Sequence, residues 1–340
     1  MKPALITVFG ATGVQGGGLV RALLDDEAAQ PVHRVRVRAV TRRPGSAEAG
    51  VLAALGAEII EADLDHAASV QRAMHGADAA FCVTDFWSHR SAEREVAQAA
   101  HLAEAAKREQ VGHVVWSTLE DTRRFSKVDG WPMPVALGAG DGSAGAGEHG
   151  GAGVRAHRQP LPPYDGKGEA DRQFSERELP LTRLLTSYRW DNLLGPAMRP
   201  RRAADGRLEL ALPTGTAALP GIAAADIGPC VAAILRQGPA TIGRTVGIAG
   251  EHLSVTQMAH GLSMVLGELV RPAAVDAAEY ARRPWAGAAD WARFFAFQRE
   301  FSRACCAARP VAATRVLHPG LLGFSAWLRS QAAGLRAAVR

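Results

Sequence analysis

The chain has 340 residues, 47% of them hydrophobic, which is enough to bury a large core and suggests about two domains by length. Its formal net charge is +5, but the arginines are scattered rather than gathered on one helix or arm, so a nucleic-acid partner is not expected. No uncharged apolar run approaches the roughly 18 residues of a membrane span, which excludes a helical membrane protein.

The N-terminal Met1-Lys2-Pro3 leads into a short strand and not into a secretory leader, so a cytoplasmic location is expected. Cys82, Cys230, Cys305 and Cys306 fit no zinc or CxxC spacing, and they read as buried or free thiols with no metal site.

In chain order, residues 4–9 form an apolar run that predicts a strand, and residues 15–26 have the spacing of an amphipathic helix. Between them lies Gly10-Ala11-Thr12-Gly13-Val14-Gln15-Gly16. A strand, a glycine turn and a helix start make a pyrophosphate cradle, because glycines allow close backbone approach and the first turn of a helix offers free N–H groups. Gly10, Thr12, Gly13, Val14, Gln15 and Gly16 are therefore the expected pyrophosphate contacts.

A second strand is predicted over 35–41, where Val35, Val37 and Ala39 alternate with Arg34, Arg36 and Arg38. Alternation is unusual for a strand covered on both faces. Either its early part extends beyond the covering helices, or one face meets solvent or a partner subunit. At its end stands Thr41-Arg42-Arg43, where many dinucleotide sites carry an acid for a ribose hydroxyl. An arginine there accommodates a 2′-phosphate, so NADP(H) is expected over NAD(H) through Arg42.

Helices over 45–55, 68–74 and 91–109 alternate with strands over 58–61, 79–83, 113–117 and 181–186. The rhythm predicts an α/β Rossmann fold, a doubly wound parallel sheet with helices on both faces. Asp63, after the third strand, could receive an adenine amino group or cap the next helix. Thr84 ends the fourth strand beside the central region of a dinucleotide, and Ser117 ends the fifth, where its hydroxyl could polarise a substrate carbonyl.

Beyond Asp121 the pattern collapses, and residues 138–153 are almost entirely Gly, Ala, Ser and Asp, with Glu148 and His149. An insertion over about 122–160 follows, either a lid at the ligand edge of the sheet or a linker. The Rossmann domain is expected over 1–180. A smaller α+β substrate or partner domain is expected over 181–335, with parts of 181–250 completing the sheet. Its aromatics, Trp285, Trp291, Phe294, Phe295, Phe297, Phe301, Phe324 and Trp327, read as a helical core, with a pocket or dimer face as the alternative.

Taken together, these motifs resemble the NmrA-like branch of the atypical short-chain dehydrogenase/reductase superfamily, its redox-sensor members and bacterial relatives in particular. The motifs are the glycine turn, Val40-Thr41-Arg42, Val83-Thr84-Asp85-Phe86-Trp87, Asp165-Gly166-Lys167-Gly168-Glu169, Asp191-Asn192-Leu193-Leu194 and Pro213-Thr214-Gly215. The resemblance implies NADP(H) in the cleft with Lys167 near the nicotinamide ribose. It implies two possible roles: an NADP(H)-responsive regulator with a protein partner, taken first, or an NADPH-dependent reductase of a quinone or other small carbonyl compound. Active short-chain reductases pair a tyrosine with a lysine four positions on. Here Pro163 stands in that place, and Tyr164 is an improvised alternative for the proton donor.

Overall fold

The computed structural model describes residues 3–25, 35–128, 131–134 and 162–339. Seven strands form one parallel sheet: β1 (Leu5–Val8), β2 (Arg36–Thr41), β3 (Glu58–Glu61), β4 (Ala79–Cys82), β5 (His113–Thr118), β6 (Leu181–Leu185) and β7 (Thr245–Gly247). Their order is β7-β6-β5-β4-β1-β2-β3, so the chain winds outward from β1 in both directions. The reversal lies between β1 and β4, where Val8 is in register with Ala39 on one side and Phe81 on the other. Ligands of such sheets bind outside the carboxyl ends of the strands at this reversal.

Both faces are covered. Helices α1 (Val14–Leu24) and α6 (Ala224–Gln237) bury Leu19, Val20, Ile227 and Val231 against Ile6, Val8 and Val115. On the other face α3 (Ala67–Met74), α4 (Ala92–Arg108) and α5 (Pro162–Ser175) bury Val70, Leu102 and Phe174 against Val114 and Trp116; α2 (Ala47–Ala54) links β2 to β3. The successive side chains of β5 thus enter opposite cores, as the period of two requires.

The alternating arginines of β2 follow from its position. Arg36 is exposed at the strand's start, whereas Ala39, Val40 and Thr41 are buried. Arg38 is accommodated by the end of α3, donating to the carbonyls of Ala73 at 2.9 Å and His75 at 2.7 Å. The early part of the strand therefore runs past its cover, while Arg34 lies outside the described residues.

Strands β6 and β7, from beyond residue 180, join the main sheet. The rest of the C-terminal half holds two three-stranded sheets and a set of helices, including α7 (Val255–Leu266) and α8 (Ala288–Glu300). Trp190, Phe295, Phe301, Phe324 and Trp327 share one core there, and Tyr164 of α5 belongs to it. No helix among the described residues is long and apolar enough to cross a membrane.

Three local features depart from the sequence reading. Phe125–Val128 pairs antiparallel with Trp131–Pro134, inside the stretch expected to lack pattern. The intervening Asp129-Gly130 is a recognised hairpin signal in the sequence. Helix α5, absent from the expected elements, starts at Pro162 just after that stretch, where a proline in the first turn has no N–H to lose. A short helix, Phe86–His89, follows β4. Residues 138–153, and with them the choice between lid and linker, lie outside the described residues.

Candidate functional site

At the carboxyl ends of β1, β2 and β4 a groove of about 450 Å³ is lined by Gly10, Thr12, Gly13, Val14, Gln15 and Gly16. Gly10 has φ +64°, and a Cβ there would meet Val83 Cγ1 at 2.9 Å. At Gly16 a Cβ would overlap the Gly10 carbonyl, so the turn closes only with glycine at that position. Helix α1 opens at Gly13 with no side-chain cap and no acid in its first turn. Its free N–H groups therefore face the groove, with the positive end of the helix dipole behind them.

The outer end of the groove is formed by Thr41, Arg42, Arg43 and Asp63. Thr41 Oγ1 lies 3.3 Å from Thr12 Oγ1 and accepts from the Arg43 amide at 3.2 Å, which ties the β2 loop to the glycine turn. Arg42 is exposed and has no hydrogen-bond or ion-pair partner among the described residues. Asp63 does not cap α3, whose N-cap is His66; its Oδ1 accepts from the Asp65 amide at 3.0 Å.

Inward, the groove continues into a second cavity of about 180 Å³, and Gln15, Val83, Thr84, Asp85 and Arg189 line both. The inner pocket is walled by rings. Trp87, in the short helix after β4, stacks on Trp291 of α8 with centroids 4.8 Å apart and planes 9° apart. Tyr188 and Phe294 line the same space.

Lys167 lies on this pocket and is 7% exposed. Its Nζ is 2.8 Å from Glu95 Oε1, 3.3 Å from the Ser117 carbonyl and 4.5 Å from the centre of the Trp116 ring. The Thr84 hydroxyl accepts from Lys167 and donates to Glu95. Each ammonium hydrogen thus has an acceptor, and the lysine is a fixed post. The flanking glycines allow this approach, since a Cβ at Gly166 would meet Ala92 at 3.3 Å and one at Gly168 would meet Asp121 Cβ at 2.5 Å. On the far side of Glu95, His89 Nε2 lies 3.5 Å from Oε2 without a hydrogen bond.

Ser117 is buried and donates from Oγ to Gln15 Oε1 at 2.8 Å, joining β5 to α1 at the cavity floor. Tyr164 is fully buried, and its hydroxyl accepts from Gln298 Nε2 at 2.9 Å. Burial, with the Glu120 carboxylate adding to it, pushes this phenol well above the ordinary range. Behind it Arg309 and Glu120 form a buried bidentate ion pair, and Arg309 Nε donates to the Thr186 carbonyl at 2.8 Å. Gln15, Thr84, Ser117, Tyr164 and Lys167 therefore share the inner pocket, whereas Arg42 and Asp63 stand at the outer end of the groove.

Sequence reading missed Glu95, Arg189, Gln298 and Arg309. Only Glu95 carries a local signal, because it occupies the apolar stripe of α4 one turn before Ala99 and two before Leu102. A charge at a core position needs a partner.

Residues 2–133 match the family model described as NmrA-like family. The NmrA-like family domain-containing oxidoreductase notA' of Aspergillus versicolor is 37% identical over 127 residues, 36% of this chain and 34% of the relative. The match thus spans about a third of that relative's length. Beyond the NmrA-like region the likeness is of fold. NmrA, a negative transcriptional regulator, superposes with a TM-score of 0.76 at 20% identity over 99% of this chain and 98% of its own. That regulator has been solved with NAD and with NADP. The NADPH-dependent quinone oxidoreductase QOR2 of Escherichia coli, complexed with NADPH, superposes with a TM-score of 0.70 at 17% identity over 96% and 99%.

Proposed function

We propose that the protein binds NADP(H) in the groove and reduces a quinone or other small carbonyl compound in the inner pocket. The observation that carries this reading is the continuity of the two cavities through Gln15, Thr84, Asp85 and Arg189. A sensor of cofactor state needs only the groove, and a ring-lined cavity at the groove's inner end suits a second reactant. The curated relative's name, an oxidoreductase, supports the same reading.

The residues fit the cofactor. The uncapped start of α1 receives a pyrophosphate, the free Arg42 a 2′-phosphate, and Lys167 would exchange its long contact with the Ser117 carbonyl, 3.3 Å, for the nicotinamide ribose. When bound, NADPH supplies a hydride to the carbonyl compound, and the reduced oxygen takes up a proton. The chain's part is orientation and proton supply. Ser117 and Tyr164 are the candidate donors, since both residues line the pocket and each carries a hydroxyl. Ser117 would hold the carbonyl oxygen, while Tyr164, raised by burial, would part with its proton reluctantly.

One observation favours the regulator as a second reading: the Tyr164 phenol is bonded to Gln298 and not to Lys167. A regulator requires only that two conformations differ in affinity for the cofactor. Steady NADPH consumption with a panel of quinones and enones, lost in Lys167→Ala and reduced in Tyr164→Phe and Ser117→Ala, supports the reductase. Tight NADPH binding with no turnover across the panel leaves the regulator.

A further inference from the structure

Three cationic residues line the inner pocket, and two of them are already neutralised. Lys167 is paired with Glu95, and Arg309 with Glu120. The third, Arg189, lines both the pocket and the groove, is half-buried, and has no hydrogen-bond or ion-pair partner among the described residues. Its position is set by the backbone. Tyr188 and Arg189 pair in parallel with Gly221 and Ile222, and the neighbours Tyr188 and Trp190 are 4% and 1% exposed. Trp190 is seated directly on Gly221, where any Cβ would overlap the indole. Arg189 is thus held at the junction of the cavities by a packed strand.

A guanidinium half-withdrawn from water and unpaired is a ready site for an anion, and its planar fork matches a carboxylate or sulfonate in two parallel hydrogen bonds. The rest of the pocket favours flat rings, with the Trp87–Trp291 stack, Tyr188 and Phe294 as walls. The opposing charge is Asp85, which lines the same junction but is exposed, lies beyond ion-pair distance of Arg189, and is the more screened of the two.

Resting on the reductase reading for the place of the pocket but not for its chemistry, we infer that Arg189 selects a flat aromatic substrate carrying an anionic group. That group sits on the guanidinium while the rings lie between the aromatic walls. Arg189 acts in binding and not in proton or hydride transfer.

The test uses two unreactive probes of nearly equal shape, naphthalene-2-carboxylate and naphthalene-2-carboxamide, titrated calorimetrically into the NADP⁺-loaded full chain. The carboxylate is expected to bind about tenfold more tightly than the amide, as a charge-assisted pair at a partly buried site allows. Arg189→Met erases that preference, Arg189→Lys retains part of it, and Asp85→Asn strengthens the carboxylate alone. Equal binding of the two probes to the parent protein overturns the inference. So does an Arg189→Met variant that keeps the preference but loses NADPH affinity, because the arginine then serves the cofactor's phosphates. A carboxylate preference that depends on Arg189 in a protein that never oxidises NADPH upholds the anion site while the reductase reading fails.

Discussion

Lys167 Nζ lies 2.8 Å from Glu95 Oε1, and both side chains are buried between α4 and α5 beneath the candidate substrate pocket. Two charges withdrawn from water are tolerable only together, and removing one leaves the other uncompensated. Glu95→Ala is therefore expected to lose about 3–5 kcal/mol of stability, whereas the double variant Glu95→Ala with Lys167→Met loses less. Urea unfolding of the two proteins checks this; equal losses would mean that the pair is not coupled.

Arg42 has no hydrogen-bond or ion-pair partner among the described residues, which leaves it free to recognise a 2′-phosphate. NADPH is expected to bind at least about tenfold more tightly than NADH, and Arg42→Ala to bring the two together by weakening NADPH alone. Calorimetric titration of both cofactors measures it. Equal affinities in the parent protein would remove the basis for NADP(H).

The crossing of α1 and α6 depends on a glycine pair. A Cβ at Gly228 would overlap the backbone of Gly18, so the two helices could not keep their separation. Gly228→Ala should cost about 1–3 kcal/mol or more, although alanine is the better helix former. A thermal melt showing unchanged or raised stability would contradict this packing.

Asp65 makes a surface contribution whose pH dependence has a defined sign. Hydrogen bonding from the Arg94 guanidinium, opposed by burial and aided by Gln98, lowers its carboxyl from 3.8 to about 2. A carboxyl depressed on folding stabilises the fold above its unfolded value and loses that effect as pH falls toward its folded value. Asp65→Asn is expected to cost about 0.5–1 kcal/mol at neutral pH, since the pair is partly solvated. The gap should shrink to roughly half near pH 3. Urea melts at the two pH values report it, and a gap independent of pH would show that the ion pair is not its source.

Much of the framework was legible because its causes are local. The run before Gly10, the uncapped glycine turn and the apolar face of α1 are neighbours in the chain, and the uneven cover of β2 left its mark as alternating arginines. Lys167 was found through a short motif whose glycines let α5 approach α4. What escaped were partners brought together only by topology. Glu120 and Arg309 are separated by 189 positions, and Tyr164 and Gln298 by 134, so no periodicity joins them. Arg189 escaped for a different reason, since an arginine in a short strand looks like any solvated cation until its packed neighbours and its cavity are known.

The central claim is that the inner pocket places a carbonyl compound against NADPH held in the groove. Its most direct test is a single-turnover experiment in which protein loaded with one equivalent of NADPH is mixed with a small quinone and the nicotinamide absorbance is followed. Loss of that absorbance is expected in a first-order phase that the parent protein displays and Lys167→Ala does not. Full retention of NADPH absorbance across quinones and enones, in protein shown by titration to hold the cofactor, would contradict it.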